Sequence, residues 1–109
     1  MSTALPVDPD KVRRETLRWL IILACNNSAP VELNETVILS IAQAMYPDST
    51  PLEIRKALDY LKDRNLVELR KDPAGPWWAN LTRYGTDIAE YTIDCAPGIA
   101  RPVKYWANS

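Results

Sequence analysis

The chain has 109 residues, 47% of them hydrophobic and 25% charged, with a formal net charge of -1 and an isoelectric point near 5.4. That length supports one compact domain around a single core, and the charge lacks the basic footprint of a strong nonspecific nucleic-acid binder. Histidine is absent and Cys25 and Cys95 are the two cysteines, so the sequence offers neither the spaced ligands of a structural zinc nor an evident catalytic base.

Asp8 followed by Pro9 is a cap with proline at the first helical position, which starts a helix expected to reach Cys25 and to end at Asn26, Asn27 and Ser28. Its first half is polar and basic. Its second half, with Trp19, Leu20, Ile21, Ile22, Leu23 and Ala24, is apolar nearly all round the axis, more than a helix buried along one stripe requires. Either the helix is central to the monomer, which a domain this small can barely arrange, or a second copy of the chain covers one side, with Trp19 and Ile22 at that contact and Ile88 of the last helix supplying the partner surface; a homodimer is expected. The apolar run at 17–25 is interrupted by Arg18 and is short of the roughly 20 residues a bilayer span needs. Residues 1–7 lack a signal-peptide pattern, so the chain is read as cytoplasmic, with no membrane partner and with both cysteines as reduced apolar fillers.

Residues 30–33 alternate like a very short strand, and Asn34 then caps a helix from Glu35 to about Tyr46, with Val37, Ile38, Ile41, Ala42 and Met45 on its apolar side. After the connector at 47–49, Thr50 precedes Pro51 and Glu53 follows three positions later, a capping box that opens a helix to Arg64. Ile54, Ala57, Leu58 and Leu61 define its buried face. Asn65 tolerates the left-handed conformation that ends helices, and Leu66, Val67 and Leu69 begin a strand. Residues 71–76 are a turn by composition, residues 77–81 a returning strand, and Thr82 caps a last helix through Gly85, Ile88 and Ala89 to about Tyr91. The fold class is therefore mostly α with a small β-hairpin wing, a winged helix-turn-helix in the order α-β-α-α-β-β-α. Residues 1–96 form the single domain, and 97–109 an irregular tail.

Several short runs carry a resemblance: Leu33-Asn34-Glu35, Ile54-Arg55-x-x-Leu58-x-Tyr60-Leu61, Leu66-Val67, Ala79-x-Leu81-Thr82-x-x-Gly85, and Pro97-Gly98-x-x-Arg101-Pro102. They resemble small winged-helix proteins of Mu-like phages and prophages, often described as similar to the ArsR transcriptional regulators. The resemblance implies that fold and a phage or prophage setting.

In a winged helix the second helix of the pair reads the major groove while the wing follows the phosphate backbone. Arg55, Lys56, Lys62, Arg70 and Lys71 are the candidate DNA-binding residues, with Arg64 nearby, and double-stranded DNA is the expected partner. Asp59 and Asp63 share that surface and oppose phosphate; the alternative is an ion-pair lattice of Arg55, Lys56 and Lys62 around Asp59. For protein contacts, strand alternation sets Trp77 and Ala79 on the face of Leu81 and leaves Trp78 outward, while Tyr105 and Trp106 add an aromatic handle on the tail. The sequence thus reads as a DNA-binding transcriptional regulator. The runner-up is an adaptor in phage development or assembly that binds a phage or host protein. It is not read as an enzyme, and no metal or other cofactor is implied, since a glycine-rich phosphate loop is also missing.

Overall fold

The structure, a computed structural model, describes residues 7–104. Four helices surround a small antiparallel sheet: α1 (Pro9–Ser28), β1 (Leu33–Asn34), α2 (Glu35–Met45), α3 (Pro51–Asp63), β2 (Val67–Lys71), β3 (Trp77–Leu81) and α4 (Arg83–Ala89). The strands lie in the order β1-β3-β2, with Leu33 opposite Ala79, and Val67 opposite Leu81. That order is compatible with a helix followed by a hairpin wing.

Local chemistry accounts for most boundaries. The side chains of Asp8, Asn34, Thr50 and Thr82 accept hydrogen bonds from Asp10, Thr36, Glu53 and Gly85 amides, respectively, satisfying donors that the first turns leave open. Asn65 adopts φ 64° where α3 ends. α1 runs to Ser28 rather than Cys25, and β1 pairs Leu33 and Asn34 rather than starting at Pro30. Gly85 packs so closely under β2 that a Cβ there would collide with the Leu66 carbonyl oxygen, which fixes the hairpin base against α4.

The core joins Leu17, Ile21 and Ile22 of α1 to Ile38, Ile54, Leu58, Leu61 and Ile88. All four positions expected on the inner face of α3 are buried. On α2 the buried side is narrower than expected: Ile38 and Ala42 point inward, but Val37, Ile41 and Met45 are exposed.

The expectation that Trp19, Ile22 and Ile88 form a partner surface is overturned. They are 7%, 0% and 1% exposed within one chain. The missing cover comes from the chain's own C-terminal part: Tyr91, Ile93, Cys95 and Ile99 pack on the core, and Trp19 meets the Tyr91 ring edge-on at 5.9 Å. Backbone and side-chain bonds hold this segment down. The Ala100 amide donates to the Glu15 carbonyl at 3.1 Å, Arg18 Nη1 to the Gly98 carbonyl at 2.9 Å, and Arg101 Nη1 to the carbonyls of Ile88 and Ile93. Residues 97–104 are irregular, as expected, yet their first part is strapped to α1 and α4. Among the described residues no helix is long and apolar enough to cross a membrane.

Candidate nucleic-acid interface

α3 turns Lys56, Asp59, Lys62 and Asp63 away from the core, and the hairpin lies beside this outer face. The two elements are joined by charge. Glu35, the first residue of α2, is only 7% exposed and accepts from Arg55 Nε at 2.8 Å and Nη2 at 2.6 Å. The same carboxylate accepts the Trp77 amide at 2.7 Å, so one side chain ties α2, α3 and β3 together. Arg55 also lies over the Trp77 ring, 4.6 Å from its centroid. The Arg55 guanidinium, and then the Trp77 amide, hold the Glu35 carboxyl below the usual carboxylate range despite its burial. Reciprocally, the hydrogen bonds to Glu35 raise the pKa of Arg55.

Farther along the hairpin the pattern repeats. Lys71 Nζ meets Asp59 Oδ1 at 2.9 Å and also sits over the Trp77 ring, 4.2 Å from its centroid. Arg70 donates to Glu32 Oε1 at 2.8 Å through Nη2, which raises its pKa, and covers Trp78 at 5.0 Å. Trp78 is half-buried rather than free, because the cross-strand neighbour Arg70 lies on its face. Tyr105 and Trp106 lie outside the described residues.

Of the five expected DNA-binding residues, the structure gathers Arg55, Lys56, Lys62 and Lys71 along α3 and the adjoining strand, while Arg70 of the same strand pairs with Glu32, just before β1. Arg55, Arg70 and Lys71 are each committed to a carboxylate; among the described residues Lys56 and Lys62 have no such partner. The helical lattice expected around Asp59 does not form, since Arg55 turns to Glu35 and Asp59 to Lys71. Nor does Glu53 reach back to its cap. Its carboxylate instead takes Arg13 of α1 in a two-pronged pair at 2.7 and 2.8 Å, beside Asp48 at 2.8 Å. Glu35 was missed as a site residue: the sequence signals its place after a cap, but nothing local signals that it is buried with Arg55.

Cys25 is buried among apolar side chains, which pushes its thiol up to about 12 and keeps it un-ionised near neutrality. Among the described residues no group of three or more potential metal ligands stands together. No protein-family model matches this chain, and no curated protein or solved structure matches it significantly.

Proposed function

We propose that this chain is a winged-helix DNA-binding protein that regulates phage or prophage transcription. The observation that carries this reading is the succession α2, turn, α3 and hairpin on a sheet ordered β1-β3-β2, with Lys56 and Lys62 exposed on α3 and without a carboxylate partner among the described residues. The phage setting rests on the sequence resemblance. In this reading α3 enters the major groove, Lys56 and Lys62 meet phosphates, and the carboxylates of Asp59 and Asp63 limit binding to sites where base contacts repay their repulsion. The pairing of Arg55 with Glu35 gives that arginine a scaffolding role: it holds the angle between helix and hairpin. Titrating random duplex DNA at low and moderate salt tests the proposal, because a phosphate-dominated complex weakens steeply as salt rises. Absence of binding even at low salt would overturn it.

A second reading, a protein-binding adaptor, is favoured by α2. Val37, Ile41 and Met45 recur every four residues on its outer side at 47%, 37% and 52% exposure, and no charged residue follows Glu35 in the helix. Such a stripe suits a phage or host protein that supplies an apolar groove. Retention of duplex DNA binding by a Val37→Ser, Ile41→Ser, Met45→Ser variant, together with loss of no partner from pull-down, would leave this reading unsupported.

A further inference from the structure

α2 differs from the other described helices in what it shows to solvent. Lys11 and Arg14 of α1, Lys56 and Asp63 of α3 and Arg83 of α4 are exposed charges, whereas no charged residue follows Glu35 in α2, in a chain that is 25% charged. Glu35 itself is buried against Arg55, and Asp48, just past the end of α2, is paired with Arg13 at 2.8 Å. The exposed side of this helix is therefore electrically quiet along its length.

Its relief is regular. Val37, Ile41 and Met45 form one row at four-residue spacing, 47%, 37% and 52% exposed. The neighbouring row, Thr36, Ser40 and Ala44, is also exposed and is made of small side chains. A bulky row beside a small one is a ridge beside a groove, the surface through which helices pack on each other. Two polar side chains on this side are already engaged within the chain: Ser40 Oγ donates to the Thr36 carbonyl at 3.2 Å, and Gln43 Nε2 to the Ser49 carbonyl at 3.1 Å. Both keep a partner when the face is covered, which lowers the cost of burying it.

We propose that this face is the contact between two copies of the chain, packed antiparallel about a two-fold axis near Ile41, with the ridge of each copy in the groove of the other. Val37 then lies towards the partner's Met45, a short side chain against a long one. A two-fold contact sets a surface against its own copy, so a charge near the axis meets a like charge; among the described helices only α2 offers an exposed side free of that repulsion. Antiparallel packing also sets the start of each α2 beside the end of the other, where no basic residue offsets the partial negative charge, so the helix ends attract. A foreign protein is selected largely through complementary charge, and this stripe has no charged group with which to select one. Three partly exposed apolar side chains per copy fall short of the roughly 800 Å² per partner of a stable interface, so the dimer is a weak one. A copy seated on the stripe closes it to other proteins, so this inference stands against the adaptor reading and is independent of the DNA proposal.

The test is sedimentation equilibrium of the full chain from about 10 μM to about 1 mM, with amide shifts followed over the same range. We expect a monomer–dimer equilibrium with a dissociation constant between about 10 μM and about 1 mM, and concentration-dependent shifts centred on the amides of residues 36–45. That constant should change less than about twofold between about 0.05 and about 0.5 M salt, since no charge is paired across the contact. Ile41→Glu, which brings two carboxylates together near the axis, should weaken association at least about tenfold. Ala44→Leu fills the groove although it adds apolar surface, and should weaken association about threefold or more. Both positions are exposed, so far-UV circular dichroism and tryptophan emission should match the parent. A parent that stays monomeric at about 1 mM overturns the proposal and returns the stripe to a foreign partner. A dimer whose shifts lie elsewhere, or an Ile41→Glu variant that dimerises like the parent, overturns it as well. So does tighter association of Ala44→Leu, which would show general stickiness rather than a ridge seated in a groove. DNA is absent from these measurements, so their failure and that of the DNA proposal are separate results.

Discussion

The two sides of α3 carry similar numbers of basic side chains and use them differently. Towards the hairpin, Arg55, Lys71 and Arg70 each meet a carboxylate and each lie on a tryptophan ring. Towards α1, Arg13 is held by Glu53 and Asp48, while among the described residues Arg14 and Lys56 meet no carboxylate and Arg18 lies on a tyrosine ring with its Nε sealed off and unsatisfied. The first arrangement is closed: its charges are cancelled at short range, and it serves to join elements. The second is mixed: Arg13 is cancelled in the same way, whereas Arg14 and Lys56 stand at exposed positions with no carboxylate at hydrogen-bond distance among the described residues. A census of basic residues along the sequence therefore says little about which are available to a partner; pairing geometry decides it, since a cation neutralised at hydrogen-bond distance projects only a weak field beyond.

Prising the hairpin from α3 is the harshest way to break the closed side. Gly85→Ala drives a methyl group into the Leu66 carbonyl under β2, and overpacking against backbone should cost about 3 kcal/mol. Urea denaturation followed by tryptophan emission would register it, and a loss below 1 kcal/mol would show that the hairpin base is not fixed there. Next in size is Glu35→Ala. Removing a buried carboxylate that serves Arg55 and the Trp77 amide should cost about 2 kcal/mol, less than for a fully buried pair because the Arg55 side chain is 38% exposed.

The pH dependence sharpens the same point. Glu35 titrates below its ordinary value when folded, so the unfolded chain takes up its proton first. The stabilisation from Glu35 is fully present above the ordinary carboxylate value of about 4.3 and fades as pH falls through the lowered folded value. Urea midpoints of the parent should therefore decline on acidification through that window, and those of Glu35→Gln should decline less. Parallel declines would mean that the pair does not report on Glu35.

Smaller effects on stability, and the sharper ones on DNA, come from Asp59. Asp59→Asn releases Lys71 from its ion pair at an exposed site, so folding should change by no more than about 0.5 kcal/mol. If the DNA proposal holds, nonspecific affinity rises and the logarithmic salt slope steepens, by up to about 0.9 for one added phosphate contact. Lys56→Ala should flatten the slope by about 0.9, and Lys71→Ala by less, because Asp59 already shares that lysine's charge. Equal slopes for these two lysine variants would dissolve the distinction between paired and unpaired cations.

What the sequence determined by itself is the set of features written in neighbours three or four positions apart. Caps at Asp8, Asn34, Thr50 and Thr82, the left-handed stop at Asn65 and the inner stripe of α3 depend on nearby residues alone, and each stands in the structure as read, save that Glu53 turns to Arg13 instead of completing the box with Thr50. The tertiary structure decided which charges meet. Glu35 and Arg55 are 20 positions apart, Arg13 and Glu53 are 40 apart, and Glu32 and Arg70 are 38 apart, so no helical or strand period announces them. It also decided what covers α1: its apolar circumference reads as a surface for a second copy, but the segment carrying Tyr91, Ile93 and Ile99 returns to enclose it. That return is irregular in composition and carries no periodic signal, because its apolar side chains are placed by backbone bonds to α1 and α4 rather than by a repeating helix or strand of its own.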